Sequence, residues 1–402
     1  MKRRDFIKSS VVLTTAAGVG AAIPTADAAE KAVVKRYRKL GRTDMEISDI
    51  SFGTGRLPSA SMILRGVDRG INYFDTAPDY GRSEEYMGEA MQRLKQRDKI
   101  YLASKFCDDV PYEAGVSHLQ VGSSKADYKK ALEGSLKRMN TDYLDVVFVH
   151  AIGERDDYEG EHARLFDANM LQAADELKQE GKMRYLAVSS HGPYNMEKLL
   201  MEAVRSGHFD LVMPAFNFMK FPKVPEVLKE AKARGVGVVA MKTLAGARDM
   251  DLDPKGAVFE HAAFKWVLQH PEVAGLVVTM KRVKDIELYL QASGGEFTAA
   301  DRLTLDRYAA QFGGDYCRTG CSDCETRCPA GVPIASILRY QMYFESYEDE
   351  KRAMQSYAGL GRNAAVCLDC AVESCSGGCA YGLPVALKLR AAHNALSFES
   401  IA

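Results

Sequence analysis

Asn72-Tyr73-Phe74-Asp75-Thr76-Ala77 is a short apolar run that closes on a carboxylate, and the runs that resemble it decide the fold. Residues 100–105 close on Lys105 and residues 144–150 close on His150 in the same manner. Working outward, residues 47–52, 185–189, 211–216, 236–241 and 275–279 add five further runs of similar length and β-branched character. Amphipathic helical stretches separate them. In residues 128–139, for instance, Ala131, Leu132, Ser135, Leu136 and Met139 share one face, and Lys129, Lys130, Glu133 and Lys137 take the other. Eight strands alternating with helices predict an α/β fold, a closed (β/α)8 TIM barrel over residues 34–297. The turn signal at Gly41 makes residues 36–43 a hairpin, expected to cover the bottom of the barrel.

The rival architecture is an open doubly wound sheet, which requires a glycine-rich turn between a strand and a helix. Gly235-Val236-Gly237-Val238-Val239-Ala240 has the right letters but runs into a strand. It therefore lacks the helix N-terminus on which a pyrophosphate would rest, and is set aside. The length of 402 residues suits a barrel plus one extra module. A composition of 47% hydrophobic and 27% charged residues is that of a soluble globular chain. The net charge of −1 gives no electrostatic reason to expect nucleic acid or an anionic membrane as partner.

Barrels of this type carry their chemistry at the C-terminal ends of the strands. There this chain places Asp75, Lys105 and His150, with Tyr80 five residues beyond Asp75. Singly each has an ordinary explanation: a solvated strand end, or a satisfied buried histidine. Together, ending neighbouring strands, they converge on one mouth. The four match the catalytic tetrad of the aldo-keto reductases, and the segment from Asn72 through Tyr80-Gly81 to Ser83-Glu84 resembles that family's signature. The resemblance runs over roughly residues 37–290. It implies hydride exchange between a nicotinamide nucleotide and a small carbonyl or alcohol, with Tyr80 as acid. Asp75 would steady Lys105, and His150 would orient the carbonyl oxygen. A lysine cation beside Tyr80 is expected to lower the phenol's pKa.

The same resemblance implies a nucleotide extended across the mouth. Ser189 and Asn217 would hold the carboxamide. Lys242, Thr243 and Leu244 would line the pyrophosphate loop. Lys281 and Arg282 suit an adenosine 2′-phosphate, which favours NADP(H) over NAD; a plain solvated helix start is the other reading of that pair.

Eight of the nine cysteines fall in two groups, Cys317-x3-Cys321-x2-Cys324-x3-Cys328-Pro329 and Cys367-x2-Cys370-x4-Cys375-x3-Cys379. The ninth, Cys107, reads as a mouth-lining or core thiol. Thiolates at such spacing suit iron-sulfur clusters or zinc, and in an oxidising compartment they could pair as disulfides. The two groups resemble a two-cluster ferredoxin, in which the fourth cysteine of each run serves the other cluster. Some aldo-keto reductases carry such a tail. Residues 298–402 are thus expected to be a small, mainly helical module holding two [4Fe-4S] clusters, for electron exchange with a redox partner or for structure. The second run departs further from the ferredoxin pattern: it has x4 in its middle, and Ala380 stands where a proline is usual. Residues 334–359 read as a helical insertion whose Tyr340, Tyr343, Tyr347 and Tyr357 pack rather than relay electrons.

Residues 1–28 combine Arg3-Arg4, a weakly apolar stretch over residues 11–23 and the small-x-small site Ala26-Asp27-Ala28. This order is that of a signal peptide and resembles the twin-arginine address. It implies use of that export machinery, a periplasmic location and no stable membrane span after cleavage. An enzyme is the leading reading. The alternative is a non-catalytic, nucleotide-binding, redox-responsive module.

Overall fold

The computed structural model describes residues 31–110, 117–219, 223–246, 256–315, 317–318, 321–347 and 349–397. The expected signal segment lies outside them. Ten strands are present among the described residues: β1 (Tyr37–Lys39), β2 (Glu46–Ser48), β3 (Ile50–Gly53), β4 (Tyr73–Asp75), β5 (Tyr101–Lys105), β6 (Leu144–Val149), β7 (Met183–Ser190), β8 (Leu211–Pro214), β9 (Gly237–Ala240) and β10 (Gly275–Thr279). The last eight close into a parallel barrel, with β10 completing the ring against β3. The fold is the TIM barrel read from the strand runs.

The period-2 alternation of strand side chains sorts the core into two layers. Tyr73, Ala103, Val146, Phe148, Ala187, Met213 and Val239 fill the interior. Phe74, Leu102, Val147, Leu186, Val188 and Val212 face the surrounding helices. The helix Lys125–Met139 buries Tyr128, Leu132, Ser135, Leu136 and Met139, and Ser124 caps it reciprocally with Asp127.

One expected strand divides in two. The sequence run over residues 47–52 is continuous, yet Asp49 separates β2 from β3. Its carboxylate accepts from its neighbour's amide, Ile50 N (2.9 Å), from Ser293 Oγ (2.6 Å) and from Gly294 N (2.8 Å). These bonds turn the chain from the bottom hairpin into the barrel wall. The hairpin β1–β2 plugs the barrel with Leu40, Met45 and Ile47. Arg42 N donates to Gly235 O (2.6 Å), so the Gly-x-Gly segment set aside above lies at the bottom, against the hairpin.

Beyond the barrel, the helix Ala299–Phe312 leads to the cysteine module. Helices Ile334–Tyr347, Glu350–Ala358 and Val385–Leu396 enclose a separate core that includes Val332, Ile337, Leu338, Tyr357 and Leu389. The expected insertion is thus two helices, and Tyr357 packs as anticipated, its hydroxyl 2.7 Å from His393 Nδ1. Among the described residues no helix is long and apolar enough to cross a membrane.

Gly41 has φ +56°, and a Cβ there would lie 2.4 Å from Gly237 N and 2.5 Å from Gly235 O. Gly41→Ala should therefore cost about 2–4 kcal/mol and lower Tm by roughly 4 °C or more. A thermal melt checks this; an unchanged Tm would mean that the hairpin is not wedged into the barrel floor.

Candidate active site at the barrel mouth

The inward alternation explains how charges come to stand at one end of an apolar barrel. Asp75 follows Tyr73 at spacing two, Lys105 follows Ala103, and His150 follows Phe148, so each is the next inward residue of its strand. Asp75 and Lys105 are 5% and 2% exposed, depths at which either charge alone would be costly. They pair instead: Lys105 Nζ donates to Asp75 Oδ1 (2.8 Å) and to Thr76 O (2.6 Å). Burial pushes the Asp75 carboxyl up, and the lysine charge pulls it back.

Tyr80 sits on the loop after β4. Its carbonyl accepts from Ser83 Oγ (2.9 Å), which also donates to Thr54 O (2.6 Å). The Tyr80 ring meets His150 edge-on with centroids 5.9 Å apart, and Lys105 Nζ is 5.1 Å from the Tyr80 centroid. All four expected residues are thus gathered. The expected electrostatics are reversed, however. Burial, followed by the Asp75 and Asp79 carboxylates, pushes the Tyr80 phenol well above its ordinary range. Arg352 pulls the other way, and the Lys105 ammonium donates to Asp75 and the Thr76 carbonyl rather than to the phenol. His150 is driven the other way, chiefly by burial and then by Lys105 and Arg164, and stays neutral.

Behind His150 stand Cys107, expected as a mouth-lining or core thiol, and two groups that sequence reasoning missed, Asp79 and His118. Cys107 Sγ lies 3.0 Å from His150 Nδ1, and Asp79 Oδ2 lies 3.5 Å from the same nitrogen. His118 stacks obliquely on His150 with ring centroids 4.4 Å apart. His118 comes from the long loop after β5, where no periodicity announces it.

The expected nucleotide residues share this end of the barrel in differing states. Ser189 is buried, and its hydroxyl accepts from Ala151 N (3.0 Å) while keeping its own proton to donate. Asn217 spans the next loop, donating to Lys242 O (2.9 Å) and accepting from Met219 N (3.0 Å). Thr243 is buried and Leu244 half-buried. Lys281 and Arg282 are exposed at the start of the helix Val283–Leu290, with Arg282 Nη2 3.0 Å from Asp285. Lys242 is the exception. Its ammonium lies 5.1 Å from the Tyr343 ring centroid and 5.0 Å from that of Tyr347, covered by the tail. Tyr343, expected only to pack, is a cation partner.

The tail touches this mouth at several points. Arg56 pairs with Asp349 (2.8 Å), Arg339 donates to the His191 carbonyl, and Tyr194 Oη donates to Glu325 (3.3 Å). Arg352 bears electrostatically on Asp79, Tyr80 and His150. Within the tail the two runs cross: Cys317, Cys321 and Cys324 line one hollow with Cys379, while Cys328 neighbours Cys367, Cys370 and Cys375. All of these cysteines are free of disulfides. Burial pushes the Cys317 thiol up to about 12 and the Cys367 thiol up to about 11. A repeat that the sequence reading overlooked builds the two hollows. Cys328-x2-Gly331-x-Pro333 matches Cys379-x2-Gly382-x-Pro384, and each glycine has positive φ before a helix. Glu325 and Ser376 occupy equivalent places, accepting from Ala335 N (2.7 Å) and Ala386 N (3.1 Å).

Comparison with known proteins agrees with the barrel. The model of the Aldo/keto reductase family matches residues 50–251, half of the chain. An uncharacterized oxidoreductase of Bacillus subtilis is 33% identical over 198 residues, which cover 48% of this chain and 58% of that protein. The L-glyceraldehyde 3-phosphate reductase of Escherichia coli is 27% identical over 337 residues, 68% of this chain and 92% of the enzyme. The solved aldo-keto reductase of Bacillus halodurans, in its holo form, superposes with a TM-score of 0.53 at 24% identity, over 68% of this chain and 95% of its own. With the tetrad-bearing segments inside the matched region, the chain belongs to the aldo/keto reductase family.

Proposed function

We propose that the barrel reduces a small carbonyl compound, or oxidises the corresponding alcohol, using NADP(H), and that the tail holds two [4Fe-4S] clusters. The observation that carries the first half is the convergence of Tyr80, Lys105, Asp75 and His150 at one mouth. When bound, the nucleotide supplies or accepts a hydride. Ser189 and the exposed Lys281–Arg282 pair fit a strip for it; Lys242, covered by Tyr343 and Tyr347, does not in this arrangement.

The chain's own groups do the rest. The phenol of Tyr80 keeps its proton throughout the neutral range, which is the state required to protonate an alkoxide formed from a carbonyl. The buried Cys107 thiol also stays protonated, because burial pushes it up, and it can donate to His150 Nδ1. That leaves the proton of neutral His150 on Nε2, where it can orient a carbonyl oxygen. The Asp75–Lys105 pair is buried beside both groups.

For the tail, the crossed grouping supports the cluster reading: three cysteines of each run with the fourth of the other is the two-cluster ferredoxin arrangement. A single tetrahedral zinc ion needs sulfur–sulfur edges of about 3.8 Å. Among the described residues, no three tail sulfurs gather within 4.8 Å, so each quartet suits a larger group. The clusters would supply one-electron transfer to a redox partner, or structure. Export through the twin-arginine route completes the proposal and rests on Arg3-Arg4 and Ala26-x-Ala28 alone. Arg3→Lys with Arg4→Lys should leave folded protein in the cytoplasm, and normal periplasmic accumulation would remove this part.

Tyr80→Phe should lower kcat for aldehyde reduction with NADPH by about 10²–10⁴ while nucleotide binding is kept. Activity within a factor of about three of wild type would show that another group gives the proton.

The raised phenol also fixes a pH profile. Reduction needs the protonated form and should not decline between about pH 6 and 9 through Tyr80. Oxidation needs the phenolate and should keep rising to the top of that range. A reduction rate that falls with an apparent pKa near 7 would contradict the buried, protonated phenol.

Iron analysis of protein purified without oxygen should give about eight atoms per chain. The crossing makes a sharper demand on double variants. Cys324→Ala with Cys379→Ala should keep about four irons, whereas Cys324→Ala with Cys328→Ala should lose nearly all. The reverse result would mean that each run binds its own cluster.

A further inference from the structure

Four side chains from separate parts of the sequence meet behind the tetrad. Asp79 comes from the loop after β4, Cys107 and His118 from the loop after β5, and His150 from the end of β6. One ligand-type atom from each lies within 4.8 Å of all the others, and all four residues are buried. We infer that these four residues form a binding site for a divalent transition-metal ion, zinc by the chemistry of the donors, which the hydride chemistry of the barrel does not require.

The donor set is one sulfur, two imidazole nitrogens and one carboxylate oxygen. Hard cations such as magnesium and calcium prefer oxygen alone, whereas zinc takes this mixture in a tetrahedron. With zinc bonds of about 2.0–2.3 Å, neighbouring ligand atoms stand roughly 3.3–3.8 Å apart. The distances here are 3.0 Å between Cys107 Sγ and His150 Nδ1, 3.5 Å between that nitrogen and Asp79 Oδ2, and 3.7 Å between Asp79 Oδ2 and His118 Nε2. Small adjustments suffice to close such a set on an ion.

The surroundings are those of an oriented site. Ser117 Oγ donates to Asp79 Oδ2 (3.0 Å), the kind of outer contact that aims a ligating carboxylate. The other oxygen, Asp79 Oδ1, is buried with no hydrogen-bond partner, an expensive state that a cation would relieve. The backbone bridge between Cys107 and His118, reinforced by Asp108 N donating to Ser117 O (2.9 Å), fixes two of the ligands relative to each other. Charge balances as well. A dication with the Asp79 carboxylate, the Cys107 thiolate and two neutral imidazoles sums to zero, the form a buried site tolerates best. On binding, the thiol loses its proton to solvent and the metal–sulfur bond replaces S–H; no redox change is involved.

A metal on His150 Nδ1 leaves the proton on Nε2, so the ion would lock the tautomer that the proposed carbonyl contact needs. Only this consequence rests on the hydride reading, and metal binding is measured separately from turnover.

The test uses the full chain with its clusters, kept free of oxygen, and cobalt(II) as a visible stand-in for zinc. Difference spectra should show about one equivalent of tetrahedral cobalt with a thiolate-to-cobalt band. Cys107→Ser should abolish that band, and His118→Ala should weaken cobalt binding at least tenfold. If Cys107→Ser does not fold, as judged by circular dichroism, His118→Ala decides alone. Wild type that takes up no cobalt would overturn the inference. So would wild type and the folded variants giving the same spectrum and stoichiometry, because the metal would then sit on tail cysteines or the surface.

Discussion

The ion pair between Lys105 and Asp75 is where the barrel's geometry becomes chemistry. Two charges stand at depths where neither is tolerable alone, and removing one partner of such a pair typically costs about 3–5 kcal/mol. The pair exists because parallel register sets β4 beside β5 and β5 beside β6, with Asp75 opposite Ala103 and Lys105 opposite Phe148. Phe148 closes the space below, with Lys105 Nζ 5.4 Å from its ring centroid. Tyr80 is governed by burial first and then by the Asp75 and Asp79 carboxylates, with Arg352 opposing them. The acid–base character of the mouth follows chiefly from burial. The phenol is a firm proton holder, the histidine is neutral, and neither changes state near neutral pH.

The tail is continuous with this mouth in energetic terms. Lys242, whose φ of +57° is unusual for a residue with a side chain, turns into the rings of Tyr343 and Tyr347. Arg56–Asp349 and Arg339–His191 tie the loops after β3 and β7 to the same two tail helices. The hollow of Cys317, Cys321, Cys324 and Cys379 is the one nearer the barrel, for Cys317 shares a cleft with Pro193, Gly246 and Arg339. A group held there would stand beside the loop expected to bind nucleotide.

Much of this was legible in the chain itself. Short apolar runs closing on Asp75, Lys105 and His150 gave the strands and the mouth together, because inward alternation is a local property. Asp49 hid the break between β2 and β3, since its partners Ser293 and Gly294 lie far along the sequence. Asp79 and His118 carry no pattern at all; only closure of the barrel brings them to His150. The crossed cysteines required the resemblance, as spacing alone cannot say which run Cys328 or Cys379 serves. Yet the paired Gly-x-Pro after each run was there to be read. Lys242 falls in the expected pyrophosphate loop, and nothing local shows that a helix some hundred residues later packs its tyrosines against it.

The central claim is that the mouth moves a hydride, rather than electrons from the tail joined by protons from water. The direct measurement supplies NADPH carrying deuterium at the transferable C4 position and reads the alcohol product by nuclear magnetic resonance. The account predicts one deuterium on the former carbonyl carbon, in ordinary water, with the tail cysteines unaltered. Product formed with hydrogen from solvent at that carbon, and unlabelled by the nucleotide, would contradict it.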